Sequence, residues 1–317
     1  MPSVTADKTT KKGRVFKRVI IIVVVTILVL TIALFVAIPP LVMGDLTERP
    51  TRMSFYEPEQ FGVEASRITL QTEDGLNIAA WTVVPENPKA TVILLSGIQN
   101  PSVTGFFGYA KMLRDNGYGS LLIEMRAHGE SEGDEVQFGM SEYLDVKAGV
   151  TYLTEQYGDL PTVVWGTSMG GATAINAMGE VPELDGLISA SAYSSLPDMF
   201  CDSMELMGMP KAFAAIQKPF VHLYCLLSYG GEMTRINPLN EIQKLNGRPA
   251  LLMHSTADSQ VPYVNFERIM AKTNEPVQTY VREGDYHFIV YDDLYEDPIQ
   301  DEAFSGAVLS FLQEHFG

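Results

Sequence analysis

Thr162-Val163-Val164-Trp165-Gly166-Thr167-Ser168-Met169-Gly170-Gly171-Ala172-Thr173 is the stretch that decides how this chain reads. Thr162 to Trp165 is β-rich and short, as a buried strand is, and Met169 to Met178 has the composition of a helix. Between them stands G-x-S-x-G. A sharp strand-to-helix turn needs small residues at 166 and 170, so that the backbone can crowd together and Ser168 Oγ can project above a sheet. A helix starting near Met169 aims its first amides at any negative charge that develops there. The pentapeptide alone is common in Gly-Ser turns. The strand before it, the helix after it and the extra Gly171 make Ser168 a candidate nucleophile.

A serine hydroxyl is a weak nucleophile and needs a histidine base held by an acid. The chain has five histidines. His287 stands in Gly284-Asp285-Tyr286-His287-Phe288, just beyond a predicted strand, and Asp258 stands in His254-Ser255-Thr256-Ala257-Asp258, likewise beyond a strand. The chain order Ser168, Asp258, His287, with gaps of 90 and 29 residues, is the Ser…Asp…His order. Asp285 is a rival acid, but two residues from His287 it is expected to point elsewhere. Asp198 is a second fallback. His128 reads as a loop pin and His254 as a satisfied core histidine, while His222 and His315 need no special role.

Working outward, strands and helices alternate. Ser66–Thr72 and Leu76–Val84 flank the turn Glu73-Asp74-Gly75 and read as an antiparallel hairpin. Ala90–Ser96, Gly119–Met125, Leu184–Ala190, Pro249–His254 and Val277–Arg282 read as further strands, making eight with Thr162–Trp165. Helices are expected over Phe106–Asn116, Met140–Tyr157, Tyr263–Lys272 and Asp301–Phe316. Such alternation implies a mainly parallel eight-stranded sheet with helices on both faces. Residues 196–236 break the rhythm and read as a helical cap. Cys201 and Cys225 lie in it, either bridged or as two buried thiols. Its Met204, Met207, Met209, Phe213 and Phe220 are expected to pack or to line an apolar acyl site.

With these motifs in place, residues 66–317 resemble the α/β-hydrolase superfamily, in the branch of bacterial serine hydrolases with a short helical cap. Arg126-Ala127-His128-Gly129-Glu130-Ser131-Glu132-Gly133 resembles that family's R-x-H-G-x-S-x-G loop, and Ser255 to Pro262 resembles its G-x-x-D-x-x-V-P acid loop. The resemblance implies Ser168 as nucleophile, His287 as general base and Asp258 as orienting acid. Two departures stand out: Ser96-Gly97-Ile98-Gln99 replaces the His-Gly many members carry after the third strand, and Ser255 stands where Gly is usual. Because an oxyanion hole uses backbone N–H groups, Ile98 and Met169 can still supply it.

The N-terminus reads differently. Val19 to Ile38 is twenty residues without a charge, about 30 Å as a helix and thus the thickness of a bilayer core. Before it, residues 1–18 hold six basic residues and one Asp, a local +5 that leaves −22 for the remainder of a chain whose net charge is −17. The basic flank places the N-terminus in the cytoplasm and the remainder outside. A cleaved signal peptide is the rival reading. Its apolar run is shorter and ends in a small-residue site, whereas Pro39-Pro40 follow here. The expected organisation is a basic tip (1–18), a transmembrane anchor (19–38), a connector (39–65) and a hydrolase domain (66–317).

With 317 residues, 46% hydrophobic, the chain can bury a full core. The acidic balance excludes nucleic acid as a partner, since phosphate binding needs clustered Lys and Arg. No ligand cluster implies a metal or organic cofactor. The expected function is a membrane-anchored serine hydrolase acting through an acyl-enzyme, on a small-molecule ester or acyl substrate. Alternatives are a peptidase, thioesterase or acyltransferase on the same residues, or a binding module that uses the fold without chemistry.

Overall fold

Five of the apolar runs lie in the interior of one sheet, where neither face meets water. The structure is a computed structural model that describes residues 6–50, 53–98 and 101–317, with backbone alone at 6–12, 45 and 46. Residues 1–5 of the basic tip, 51 and 52 of the connector, and Gln99 lie outside the described residues. Strands β1 (Ser66–Gln71), β2 (Asn77–Val83), β3 (Thr91–Leu95), β4 (Gly119–Ile123), β5 (Thr162–Thr167), β6 (Gly186–Ala190), β7 (Ala250–Ser255) and β8 (Gln278–Arg282) form a sheet in the order β1-β2-β4-β3-β5-β6-β7-β8. Every residue of β3 to β7 is buried, which is why those strands read as continuous apolar runs. The edges β1 and β8 alternate or are mostly exposed. Pairing is antiparallel only for β1/β2 and β2/β4. From β4 to β8 all strands run one way, so the loops after β3, β4, β5, β6, β7 and β8 leave the sheet at one edge.

The long α1 (Ala6–Thr47) precedes the sheet. Between the strands run α2 (Phe107–Asp115), α3 (Tyr143–Tyr157), α4 (Met169–Glu180), α5 (Leu196–Leu206), α6 (Lys211–Arg235), α7 (Pro238–Glu241) and α8 (Val264–Met270), with α9 (Glu302–Phe316) last. One face packs α2 and α9 against Val92, Leu94, Trp165 and Met253, with Phe107, Tyr109, Phe304 and Phe311 filling the space. The other face carries α3, α4 and α8. A Cβ at Gly149 of α3 would lie 2.7 Å from Ile123, and Phe266 and Ile269 of α8 surround Leu252 with Ile175 of α4.

The chain divides into two units at Asp45/Leu46. In the first, α1 holds 32 residues, Gly13–Gly44, long and apolar enough to cross a membrane. The helix runs on through Pro39 and Pro40 to Thr47, past the start expected for the connector. Neither Pro39 nor Pro40 has an N–H to donate, so the helix passes them at the cost of two backbone hydrogen bonds.

In the second unit, the cap is α5 and α6, between β6 and β7. Its base is pinned by Asp202, which accepts from Arg268 Nη1 at 2.6 Å and Asn265 Nδ2 at 2.8 Å. Cys201 and Cys225 are buried and unbridged, so the alternative of two thiols is the one observed. Burial pushes both thiols up to about 11.

The Arg126–Gly133 motif is a structural knot. Arg126 donates from Nε and Nη2 to Asp145 Oδ1 of α3 at 2.9 and 2.8 Å, and from Nη1 to Asp74 of the β1–β2 turn at 2.7 Å. Ser131 Oγ accepts the Ala79 amide at 2.9 Å, tying the loop to β2. His128 is buried with Nδ1 at 2.9 Å from the Arg126 carbonyl. Burial pushes Asp145 up to about 7 even with the Arg126 charge opposing it, so Arg126→Met leaves a buried carboxyl that must take up a proton already at neutral pH. Urea melts at pH 7 are expected to show a loss of ~3–5 kcal/mol, and a smaller loss at pH 4, where the unfolded chain also begins to protonate this carboxyl and the uptake costs little.

Candidate active site

Ser168 occupies the turn between β5 and α4 with φ 59° and ψ −121°, one of six non-glycine residues at positive φ among the described residues. Such backbone costs about 1–3 kcal/mol and persists only where its surroundings over-determine it. They do so here. A Cβ at Gly166 would lie 2.0 Å from the Gly170 carbonyl oxygen, and one at Gly171 would lie 2.6 Å from that of Ala190. The Ser168 amide donates to Ala190 O at 2.9 Å, fastening the turn to β6. Ser168 is partly exposed, at the edge where the parallel strands end.

Met169 opens α4, so its amide is one of the first-turn donors with no acceptor inside the helix. The loop after β3 passes directly over the serine. A Cβ at Gly97 would lie 3.3 Å from Ser168 Cβ, which brings the backbone of half-buried Ile98 to the same place.

The loops after β7 and β8 bring Asp258 and His287 together. His287 Nδ1 lies 2.9 Å from Asp258 Oδ2 and 3.1 Å from Oδ1. Asp258 Oδ1 also accepts the amides of Gln260 and Val261, both at 2.9 Å. Burial pushes this carboxyl up, but the hydrogen bond and charge of His287 with the two amides outweigh it and hold the group below its ordinary value. An ionised Asp258 accepts a hydrogen bond from His287 Nδ1–H, which fixes the tautomer that leaves Nε2 as the acceptor. Among the described residues no hydrogen bond joins Ser168 Oγ to His287; contacts of this kind are often long before a substrate is bound.

The rival acids are engaged elsewhere. Asp285 accepts the Ser259 amide at 2.9 Å, and Asp198 accepts from Ser195 Oγ at 2.7 Å and Lys218 Nζ at 2.5 Å. His254 is buried, with Nε2 2.8 Å from the Val261 carbonyl, and burial lowers its pKa so that it braces the acid loop as a neutral ring. His222 is exposed on α6, and His315 sits beside Gln278. A cleft of about 330 Å³ opens beneath the cap, walled by Phe138, Tyr193, Leu196 and His222 among others, and Ser168, Asp258 and His287 are not among its walls.

The family described as "Serine aminopeptidase, S33" matches residues 86–225. Protein YqkD of Bacillus subtilis is 25% identical over 253 residues, 78% of this chain and 81% of that protein. Lysophosphatidylserine lipase ABHD12 of Danio rerio is 21% identical over 275 residues, 75% of this chain and 69% of that protein. The solved esterase Pf2001 of Pyrococcus furiosus superposes with a TM-score of 0.67 at 24% identity, covering 86% of this chain and 99% of that one. The chain has the α/β-hydrolase fold.

Three features of this fold are not evident from its motifs. Ser255, where Gly is usual, adds a bond that Gly lacks, because its Oγ accepts the amide of Tyr286, the residue before His287, at 3.2 Å. The amides of Thr256 and Ala257 donate to Arg282 O and Gly284 O, both at 2.9 Å, so the acid loop and the histidine loop are sewn together. Arg282 then reaches Asp301 at the start of α9 at 2.7 Å and stacks 4.1 Å over Tyr291, closing the loop that carries His287. Asp301 was legible as the start of the last helix, which it caps, whereas its ion pair was not.

The third is Glu124, the first residue beyond β4 and fully buried. Its Oε2 accepts from Ser102 Oγ in the loop after β3, and its Oε1 has no partner among the described residues. A charged residue inside the otherwise uncharged run Gly119–Met125 was the available signal. Burial raises its pKa to about 7, only partly opposed by the hydrogen bonds from Ser102 and the Val103 amide. The ordinary value is 4.5. As pH rises through that window the unfolded chain ionises while the folded chain holds its proton, so the native state loses up to ~3 kcal/mol. Glu124→Gln removes that dependence. The melting temperature of the variant relative to the natural chain is expected to climb between pH 5 and pH 8, and to show little pH-dependent gain below pH 4.5.

Proposed function

We propose that this chain is a membrane-anchored serine hydrolase of carboxylic esters, with Ser168 as nucleophile, His287 as general base and Asp258 as its orienting carboxylate. The observation that carries the reading is the Asp258–His287 pair, 2.9 Å apart, at the sheet edge where strained Ser168 projects. In this scheme His287 Nε2 takes the proton of Ser168 Oγ as Oγ bonds to the acyl carbon. The carbonyl electron pair moves onto oxygen, where the amides of Ile98 and Met169 hold it. Collapse breaks the bond to the leaving oxygen, which takes the proton from Nε2–H and departs as an alcohol. Water, activated by Nε2, then attacks the acyl-enzyme and frees the acid and Ser168 Oγ–H. Asp258, held ionised, stabilises the imidazolium at each stage.

An ester substrate is supported by the names of Pf2001, an esterase, and of ABHD12, a lysophosphatidylserine lipase. The family description supports a second reading, release of an amino-terminal residue from a peptide. The two differ in the leaving group and not in the proposed nucleophile. Ser168→Ala is expected to lower ester turnover on the order of 10³-fold or more and to abolish labelling by a fluorophosphonate. Asp258→Asn, which lets His287 present the wrong tautomer, is expected to cost on the order of 10⁴-fold in kcat. Competition of the labelling by aryl esters, lysolipids and N-terminally free peptides separates the two substrate readings; undiminished ester hydrolysis by Ser168→Ala would overturn both.

We also assign the apolar span of α1 to a single membrane crossing, with the +5 tip in the cytoplasm and the −22 remainder outside. The full chain is then expected to stay in the membrane pellet after alkaline carbonate washing. In intact cells, residues after 45 are expected to be open to added protease, while a tag before residue 6 is not.

A further inference from the structure

Glu124 is fully buried, and only one of its two carboxyl oxygens is hydrogen-bonded among the described residues. A half-satisfied buried acid is a burden on stability, and such groups in native structures call for a reason outside packing. The reason lies in what the satisfied oxygen holds. Glu124 is itself rigid: its amide donates to Ala79 O at 3.0 Å, and its carbonyl accepts from Ser131 Oγ of the Arg126–Gly133 loop. A Cβ at Gly129 would lie 2.8 Å from Glu124 Cδ, so that loop packs directly on the carboxyl. From this fixed base Oε2 accepts from Ser102 Oγ.

Ser102 starts the short 3-10 turn Val103–Phe106, its Oγ accepting the Thr104 amide at 3.2 Å. Two more ties reach the turn from the connector. The Ser102 amide donates to Ser54 O at 3.2 Å, and the Tyr56 amide donates to Thr104 Oγ1 at 3.0 Å. The turn closes the far end of the loop after β3. At the near end the Ser96 carbonyl abuts Gly170 and Gly97 abuts Ser168. Ile98 is four residues from Ser102, at most ~14 Å of chain. In so short a loop, with one end closed on the elbow, the place of each amide depends on where the other end is fastened.

We propose that Glu124 is a positioning residue for the oxyanion hole: through Ser102 its carboxyl fixes the far end of the loop whose near end presents the Ile98 amide to the reacting carbonyl oxygen. The inference rests on the oxyanion role proposed for Ile98 and deepens it by naming what holds that amide. Oxyanion donors act because they need not move as charge develops. Slack at Ser102 therefore raises the barrier and leaves ground-state binding of the ester largely unchanged.

The test uses the full chain, with kcat counted per site labelled by a fluorophosphonate and an aryl trifluoromethyl ketone as inhibitor. Ser168 Oγ bonds to the ketone carbon, its proton passes to His287 Nε2, and the carbonyl electron pair moves onto oxygen as the charge that the hole must hold. E124L and S102A are expected to lower kcat and weaken the ketone in parallel, by about 10- to 100-fold, with KM within about twofold. E124Q, which keeps an oxygen for Ser102 Oγ, is expected to recover most of that loss. A merely structural role would lower the labelled fraction and leave kcat per labelled site and ketone affinity unchanged, and that result overturns the proposal. E124Q as impaired as E124L also overturns it, since the hydrogen bond would not then be the tie. If E124L does not fold, S102A decides, because the connector ties remain: folded S102A with the natural ketone affinity overturns the positioning. Undiminished hydrolysis by Ser168→Ala overturns the triad, and the role of Ile98 with it. An essential Ser168 with ketone affinity unchanged in E124L and S102A overturns the positioning alone.

Discussion

A Cβ at Gly170 would lie 2.4 Å from the carbonyl oxygen of Ser96 and 2.5 Å from that of Leu95. Helix α4 can therefore begin against the end of β3 only because there is no side chain at 170, and it can double back over β5 only because there is none at 166. This backbone-on-backbone packing forces Ser168 into its left-handed φ, sets the Ile98 loop beside it and points the start of α4 along the sheet edge. The strain is offset by burial of ten consecutive residues of α4, Met169 to Met178. Remove the crowding, and both the serine's exposure and its neighbours' amides lose their fixed place.

The opposite half of the edge is held by different forces. The loops after β7 and β8 have no glycine crowding of that kind and are joined by hydrogen bonds instead: Ser255 to Tyr286, Ala257 to Gly284, Thr256 to Arg282. The Arg282–Asp301 pair is almost wholly out of water, and it anchors the far end of the histidine loop to α9. The Asp258–His287 contact is thus a product of the surrounding scaffold. A serine at 255, which departs from the usual glycine, adds one bond to that scaffold and leaves room for the acid loop.

Much of this was readable along the chain. The hairpin, the buried strands and the elbow announce themselves because each is a local demand: a turn residue, a period of burial, a missing Cβ. The membrane-length helix is likewise local, although its end was not. The expected anchor ended with the uncharged run at Ile38, whereas the helix carries on through Pro39 and Pro40 to Thr47. The cap misled in a different way. Its methionines carry the composition of a core, but Met207 and Met209 lie on the outer side of a two-helix cap, and composition does not say which side is out.

The amino-acid sequence by itself determined the α/β layering, the strained serine turn and the order Ser168, Asp258, His287, because backbone sterics and hydrophobic periodicity act over a few residues. Only the tertiary structure decided that Asp258, and neither Asp285 nor Asp198, touches His287, that Cys201 and Cys225 stay apart, and that Glu124 is buried beside Ser102. Each of these depends on which distant segments meet and on how much water is excluded where they do. No spacing along a chain records that, because the hydrogen bonds and desolvation that settle it are paid for by the whole fold.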